Sequence, residues 1–200
     1  MDELASCLAS IQSVDSGLRR SSEAWLTQAS SQPGFAPALL SLALNSPLDS
    51  ASSRGAAQLA LVLLRRHIET HWCPYDEDSS EAVEVSDADK TTLRWELPRV
   101  LGSADAGVRN AGVHCVAAVA KWDCPDQWPE LLPGLFQSIA SGSGSALALG
   151  AVHCLSLFAN DLSAEDMCDL GPELLASLLR LVHGLAPRQA WLVAAAMRIA

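Results

Sequence analysis

Two hundred residues, half of them apolar, with 13 Lys and Arg against 23 Asp and Glu, give a net charge of −10 and an isoelectric point near 4.8. The apolar fraction excludes a disordered chain, and the acidic balance lacks the positive field that direct nucleic-acid or anionic-membrane binding requires. Ala, Leu and Ser dominate while only 5% of residues are aromatic, which is helix-forming material with few strand formers.

Apolar positions recur at steps of three and four nearly throughout, and Pro and Gly cut the pattern into short helices. The first four are predicted near 2–13, 15–30, 35–45 and 50–72, as consecutive pairs. In the fourth, Ala57, Leu61, Leu64, Ile68 and Trp72 form one stripe, the face a helix buries. His67 and His71 stand at i and i+4, a spacing that metal sites use. The Glu of His67-Ile68-Glu69-Thr70-His71 is misplaced for a zinc protease and no third ligand is evident, so no metal is expected. The pair reads instead as partly exposed histidines at a helix C-terminus, where the helix dipole suits them.

Residues 75–89 then hold seven acids and no base. Self-repulsion makes this a solvated insertion loop between the second and third pairs. Asp76, Glu77, Asp78, Glu81 and Glu84 are its candidates for steering a basic partner, through long-range attraction that fades with salt. Helices near 88–102 and 105–122 follow, and then the most specific local feature, Lys121-Trp122-Asp123-Cys124-Pro125-Asp126-Gln127-Trp128-Pro129. Pro125 stops one helix, Asp126 is placed to N-cap the next and Pro129 fits its first turn. Trp122, Asp123, Pro125, Trp128 and Pro129 together form a structural corner, with both tryptophans packed at the hinge. Helices near 128–141 and 145–161 come next, joined by a flexible Ser-Gly stretch, then a last pair near 166–184 and 188–200.

The pairs repeat. Gly112-Val113-His114-Cys115 returns as Ala151-Val152-His153-Cys154, and Arg54, Arg109 and Arg188 each open a second helix. A period of about 40 with two helices per unit is the mark of HEAT-type solenoids. The fold expected is all-α, an α-solenoid of about five HEAT-type hairpins in a right-handed superhelix, with 1–200 the N-terminal region of a longer array. The six cysteines form no C-x-x-C pair and several lie in apolar patterns, which suits buried thiols in a reducing compartment. No phosphate-binding loop, dinucleotide fingerprint or nucleophile elbow occurs, so neither an enzyme nor a cofactor is expected. No apolar run is long enough for a membrane span.

The corner Trp-Asp-x-Pro-x-x-Trp-Pro-x-Leu-Leu-Pro at 122–133 resembles the one near the N-terminus of importin-β-type nuclear transport receptors. Arg20, Glu23 and Leu26 followed by Pro33-Gly34-Phe35 are similar to the family's first repeats. The resemblance implies a receptor that shuttles between cytoplasm and nucleus, binds the GTPase Ran in its GTP form, touches nucleoporins and carries basic cargo such as core histones. If the second helices bind Ran, their polar stripes are the candidates. These are Arg54, Gln58, Arg65 and Glu69 on one, and Arg109, Asn110, His114 and Lys121 on another. A non-transport HEAT scaffold and an exportin are the competing readings.

Overall fold

The structure, a computed structural model, describes residues 2–73, 84–141, 145–158 and 176. Eight α-helices lie among them: α1 (Asp2–Ile11), α2 (Ser16–Ala29), α3 (Phe35–Asn45), α4 (Ala51–His71), α5 (Asp87–Glu96), α6 (Ala106–Asp123), α7 (Leu131–Ser141) and α8 (Ala146–Phe158). The described residues hold no strand. The pair expected near 166–184 and 188–200 lies outside them, as do Cys168 and Arg188.

The chain forms two compact units, Met1–Leu97 and Pro98–Ala200. In the first, α1 packs on α2 and α4, and α3 packs on α4 and α5. The stripe read from the sequence is its core: Ala57, Leu61, Leu64 and Ile68 are fully buried and Trp72 is 1% exposed. In the second, α8 packs on both α6 and α7. Val113, Val116 and Leu155 are buried at its centre, as are the thiols of Cys115 and Cys154. Burial pushes the Cys154 thiol well above its ordinary range, so it stays protonated and inert. Cys73 departs from the expectation and is exposed.

Three of the second helices begin by one recurring device. Asp15, Ser50 and Asp105 accept from amides in the first turns of α2, α4 and α6, satisfying donors that a helix start leaves open. Four residues past each cap stands an arginine, and its guanidinium reaches back to a carbonyl in the preceding loop. Arg19 donates to Ser13 O at 3.0 Å, Arg54 to Leu48 O at 3.2 Å and Arg109 to Ser103 O at 2.7 Å. The sequence repeat marked Arg54 and Arg109; Arg19 belongs with them.

Three expected boundaries move. The helix predicted over 88–102 is α only to Glu96 and tightens to a 3-10 helix over Leu97–Gly102. Pro98 has no N–H for the carbonyl four residues back, so the α ladder cannot continue. At the corner, the amides of Gln127 and Trp128 both bond to Asp123 O, at 2.7 and 2.8 Å, and α7 starts only at Leu131. Asp126 therefore sits in the turn and caps nothing, and Pro129 precedes the helix. Trp128 is buried, whereas Trp122 is half-buried with Lys121 Nζ 5.8 Å from its ring centroid. The acidic insertion, expected to run to residue 89, ends earlier: Ser86 caps α5, and Asp87 and Asp89 lie in its first turn, where negative charge complements the dipole.

Candidate partner-binding face

In the first unit the polar stripe of α4 stands where the sequence put it. Arg65 and Glu69 pair at 2.7 Å across one turn and are both about half exposed, an arrangement that contributes only a few tenths of a kcal/mol. Their value is as accessible charge. Arg54 and Gln58 are half-buried, Arg54 tethered to its loop carbonyl. Between them and Arg65 lies Val62, 56% exposed, an apolar residue in the middle of a polar face. Leu59 and Leu63 flank it and line a groove of about 530 Å3 with Leu26, Phe35, Arg66 and His67. Apolar positions on α4 in excess of one core stripe were the available signal for this groove, and the stripe argument passed over them.

His67 is not the partly exposed residue expected. It is 8% exposed, edge-on to Phe35 with centroids 5.3 Å apart and 4.6 Å from the His71 ring. Burial, reinforced by the neighbouring His71, lowers its pKa to about 4 against the opposing pull of Asp89. The unfolded chain, with an ordinary histidine near 6.5, binds more protons between those values, so stability falls as pH drops from about 6.5 toward 4 and levels off below. Chemical denaturation across that range should show a loss on the order of 2–3 kcal/mol beyond the carboxylate background, and His67→Phe should remove it. Equal slopes in the two proteins would contradict this. Among the described residues no three His, Cys, Asp or Glu side chains gather in a way that could hold a metal.

The root of the acidic segment is firmly built. Trp72 caps the end of α4, and the Val85 amide bonds back to His71 O at 3.0 Å. Lys90 Nζ meets Glu84 at 2.6 Å and lies 5.6 Å from the Trp72 ring centroid. Glu84, expected as a free steering charge, is thus tied to Lys90. Asp89 Oδ2 accepts from Gly34 N at 2.8 Å, and Gly34 opens α3 at a φ of 84°, a left-handed conformation that favours glycine. Asp76, Glu77, Asp78 and Glu81 lie outside the described residues.

In the second unit Asn110 and Lys121 are exposed on α6, and Arg109 and His114 are half-buried. His114 meets His153 of α8, so the structure brings together the two histidines that the repeat put in register. Among the described residues no helix is long and apolar enough to cross a membrane.

Residues 22–103 match the family described as Importin-beta N-terminal domain. The likeness is to the importin-β family. It is 26% identical over 176 residues to importin-9 of Drosophila melanogaster, covering 87% of this chain and 16% of that protein. Importin-11 of Homo sapiens is 30% identical over 132 residues, 66% of this chain and 13% of its own length. Exportin-2 of Drosophila melanogaster is 23% identical over 154 residues, 76% of this chain and 15% of its own. The structure titled "Kap95:Nup1 complex" superposes with a TM-score of 0.66 at 19% identity, over 90% of this chain and 21% of that one. The fold is therefore the helical-hairpin solenoid expected from the repeat. The chain spans less than a fifth of the length of these relatives. The corner at 122–133 lies downstream of the matched domain.

Proposed function

We propose that this chain is the N-terminal part of a nuclear import receptor, and that its second helices bind Ran in the GTP form. The match of residues 22–103 to the importin-β N-terminal domain carries the reading, because α4, with its exposed Arg65, Glu69 and Val62, lies inside that match. The GTP form is preferred because its ordered switch loops present the complementary surface. Candidate contacts remain Arg54, Gln58, Arg65 and Glu69 on α4, and Arg109, Asn110, His114 and Lys121 on α6. The Kap95 structure was solved with a nucleoporin, which supports nucleoporin contact and shuttling for this chain's parent as well. Basic cargo such as core histones fits the acidic segment.

Immobilised chain should capture GTP-loaded Ran and little GDP-loaded Ran, and equal capture of the two would overturn the proposal. Arg65→Glu combined with Lys121→Glu should weaken capture by about tenfold or more, as loss of charged partner contacts does. Both side chains are exposed, so the melting temperature should hold. Order of addition decides direction. Ran-GTP should release bound histone, whereas an exportin would bind its cargo only together with Ran-GTP.

A further inference from the structure

The groove of about 530 Å3 between α2 and α4 changes character along its length. From α4 it is lined by Leu59, Leu63, Arg66, His67 and Thr70, a spacing that puts all five on one helical face. The aliphatic pair comes first and the polar groups follow. On α2 Leu26 likewise precedes Ser30, and Ser30 shares a small cavity with His67, so the polar ends of the two helices meet. The groove's volume is that of a site for a small organic group. Two of its polar groups are unspent. Arg66 is exposed, and among the described residues its guanidinium has no acid partner, whereas the neighbouring Arg65 pairs with Glu69. His67 is 8% exposed and touches the Phe35 and His71 rings, but among the described residues it makes no hydrogen bond. A buried imidazole left unbonded is costly, so a ligand that bonds to it gains more than it would on an open surface. Burial keeps this ring neutral at pH 7, and a neutral imidazole has one N–H to donate. Two acids oppose an anion there. Asp89 acts on His67 from α5 but is committed to Gly34 N. Glu23 lines the groove from α2, about 10 Å along that helix from Ser30.

We infer that this groove binds a short segment of a protein partner in which an apolar side chain stands beside a carboxylate. The apolar group lies on Leu59 and Leu63, and the carboxylate takes Arg66 and the N–H of His67. Charge selects this occupant. An aliphatic floor alone accepts any hydrophobic side chain, whereas an unpaired guanidinium at its polar end favours one with an acid next to it. Bonds from guanidinium or imidazole to a carboxylate are charge-assisted, roughly twice as strong as neutral ones. No residue lining the groove is among the proposed Ran contacts, so the two readings stand or fall separately.

The test uses the 200-residue chain and the peptide acetyl-Gly-Leu-Phe-Glu-Asp-Gly-amide, with a control peptide in which Gln-Asn replaces Glu-Asp. The acidic peptide should shift the Leu59 and Leu63 methyl and His67 ring resonances, and should bind about tenfold more tightly than the control. Arg66→Glu should remove that preference, and because the side chain is exposed the fold should hold. His67→Phe keeps the bulk of a ring without its N–H, and should weaken the acidic peptide about threefold to tenfold. Resonances unmoved by millimolar peptide would overturn the inference, as would equal affinity for the two peptides. A preference kept in Arg66→Glu but lost in Glu23→Gln would overturn it too, by placing the charge recognition on the other wall. Self-association of the chain that the peptide displaces would give the groove to a second copy and refute the choice of occupant. Should His67→Phe fail to fold, the Arg66→Glu comparison decides. Capture of GTP-loaded Ran, measured in parallel, separates the two readings: its loss with peptide binding intact counts against the proposed function and not against the groove.

Discussion

Gly150→Ala is expected to destabilise the protein by about 2 kcal/mol, although alanine is the better helix former. Gly150 lies inside α8 and is buried. A Cβ there would stand 2.5 Å from Leu101 O and 3.1 Å from Leu101 C, and these are backbone atoms of the 3-10 helix that no rotamer change can move. Propensity favours the substitution by about 1 kcal/mol, and overpacking a tight core costs about 1–3 kcal/mol. The clash should win here because it falls on backbone. Gly134 supplies the opposite case. It is exposed within α7 and a Cβ there meets nothing within 4 Å, so Gly134→Ala should stabilise by about 0.5–1 kcal/mol. Paired denaturant melts check both, and the same sign in the two variants would refute the packing argument.

That contrast also marks what could be read from the letters. Helices and their pairing were legible because the apolar stripe at 57, 61, 64, 68 and 72 carries the helical period, and burial of a stripe is what makes a helix in a solenoid. The repeat motif at 112–115 and 151–154 foretold that His114 and His153 occupy equivalent places, and they meet. Features that depend on neighbours brought together in space were not legible. Nothing in the sequence says that Gly150 touches a backbone carbonyl while Gly134 faces open space. Asp126 looked like a cap because it precedes an apolar run, but the turn closed by Asp123 O uses up residues 124–127 and starts α7 later. The pairing of Lys90 with Glu84 is not legible in the letters, since it forms only when Ser86 begins α5 and sends the lysine side chain back across its start. His67 reads as partly exposed because it stands near a helix C-terminus, yet Phe35 covers it from another helix.

Trp72→Ala should have the largest effect of all, about 3–5 kcal/mol, the usual cost of emptying a fully buried large aromatic site. Trp72 is 1% exposed at the end of α4, and its indole carries two cations, Lys90 Nζ at 5.6 Å and Arg94 Cζ at 6.0 Å from the ring centroid. Removing the ring leaves a cavity, and it also strips the face over which the Lys90 ammonium lies while paired to Glu84. Trp72→Phe separates the two contributions. It restores much of the volume and a weaker quadrupole, and should recover more than half of the loss. Because Glu84 and Val85 are the far side of the acidic segment's root, the damage should reach them before it reaches the second unit. The Val85 amide, bonded to His71 O, should lose hydrogen-exchange protection in Trp72→Ala under conditions where the α8 amides keep theirs. If Val85 and α8 lost protection together, Trp72 would be stabilising the whole chain as one body and not anchoring the acidic segment. If Trp72→Ala cost less than about 1 kcal/mol, the root would be held by Lys90–Glu84 and the backbone bond alone.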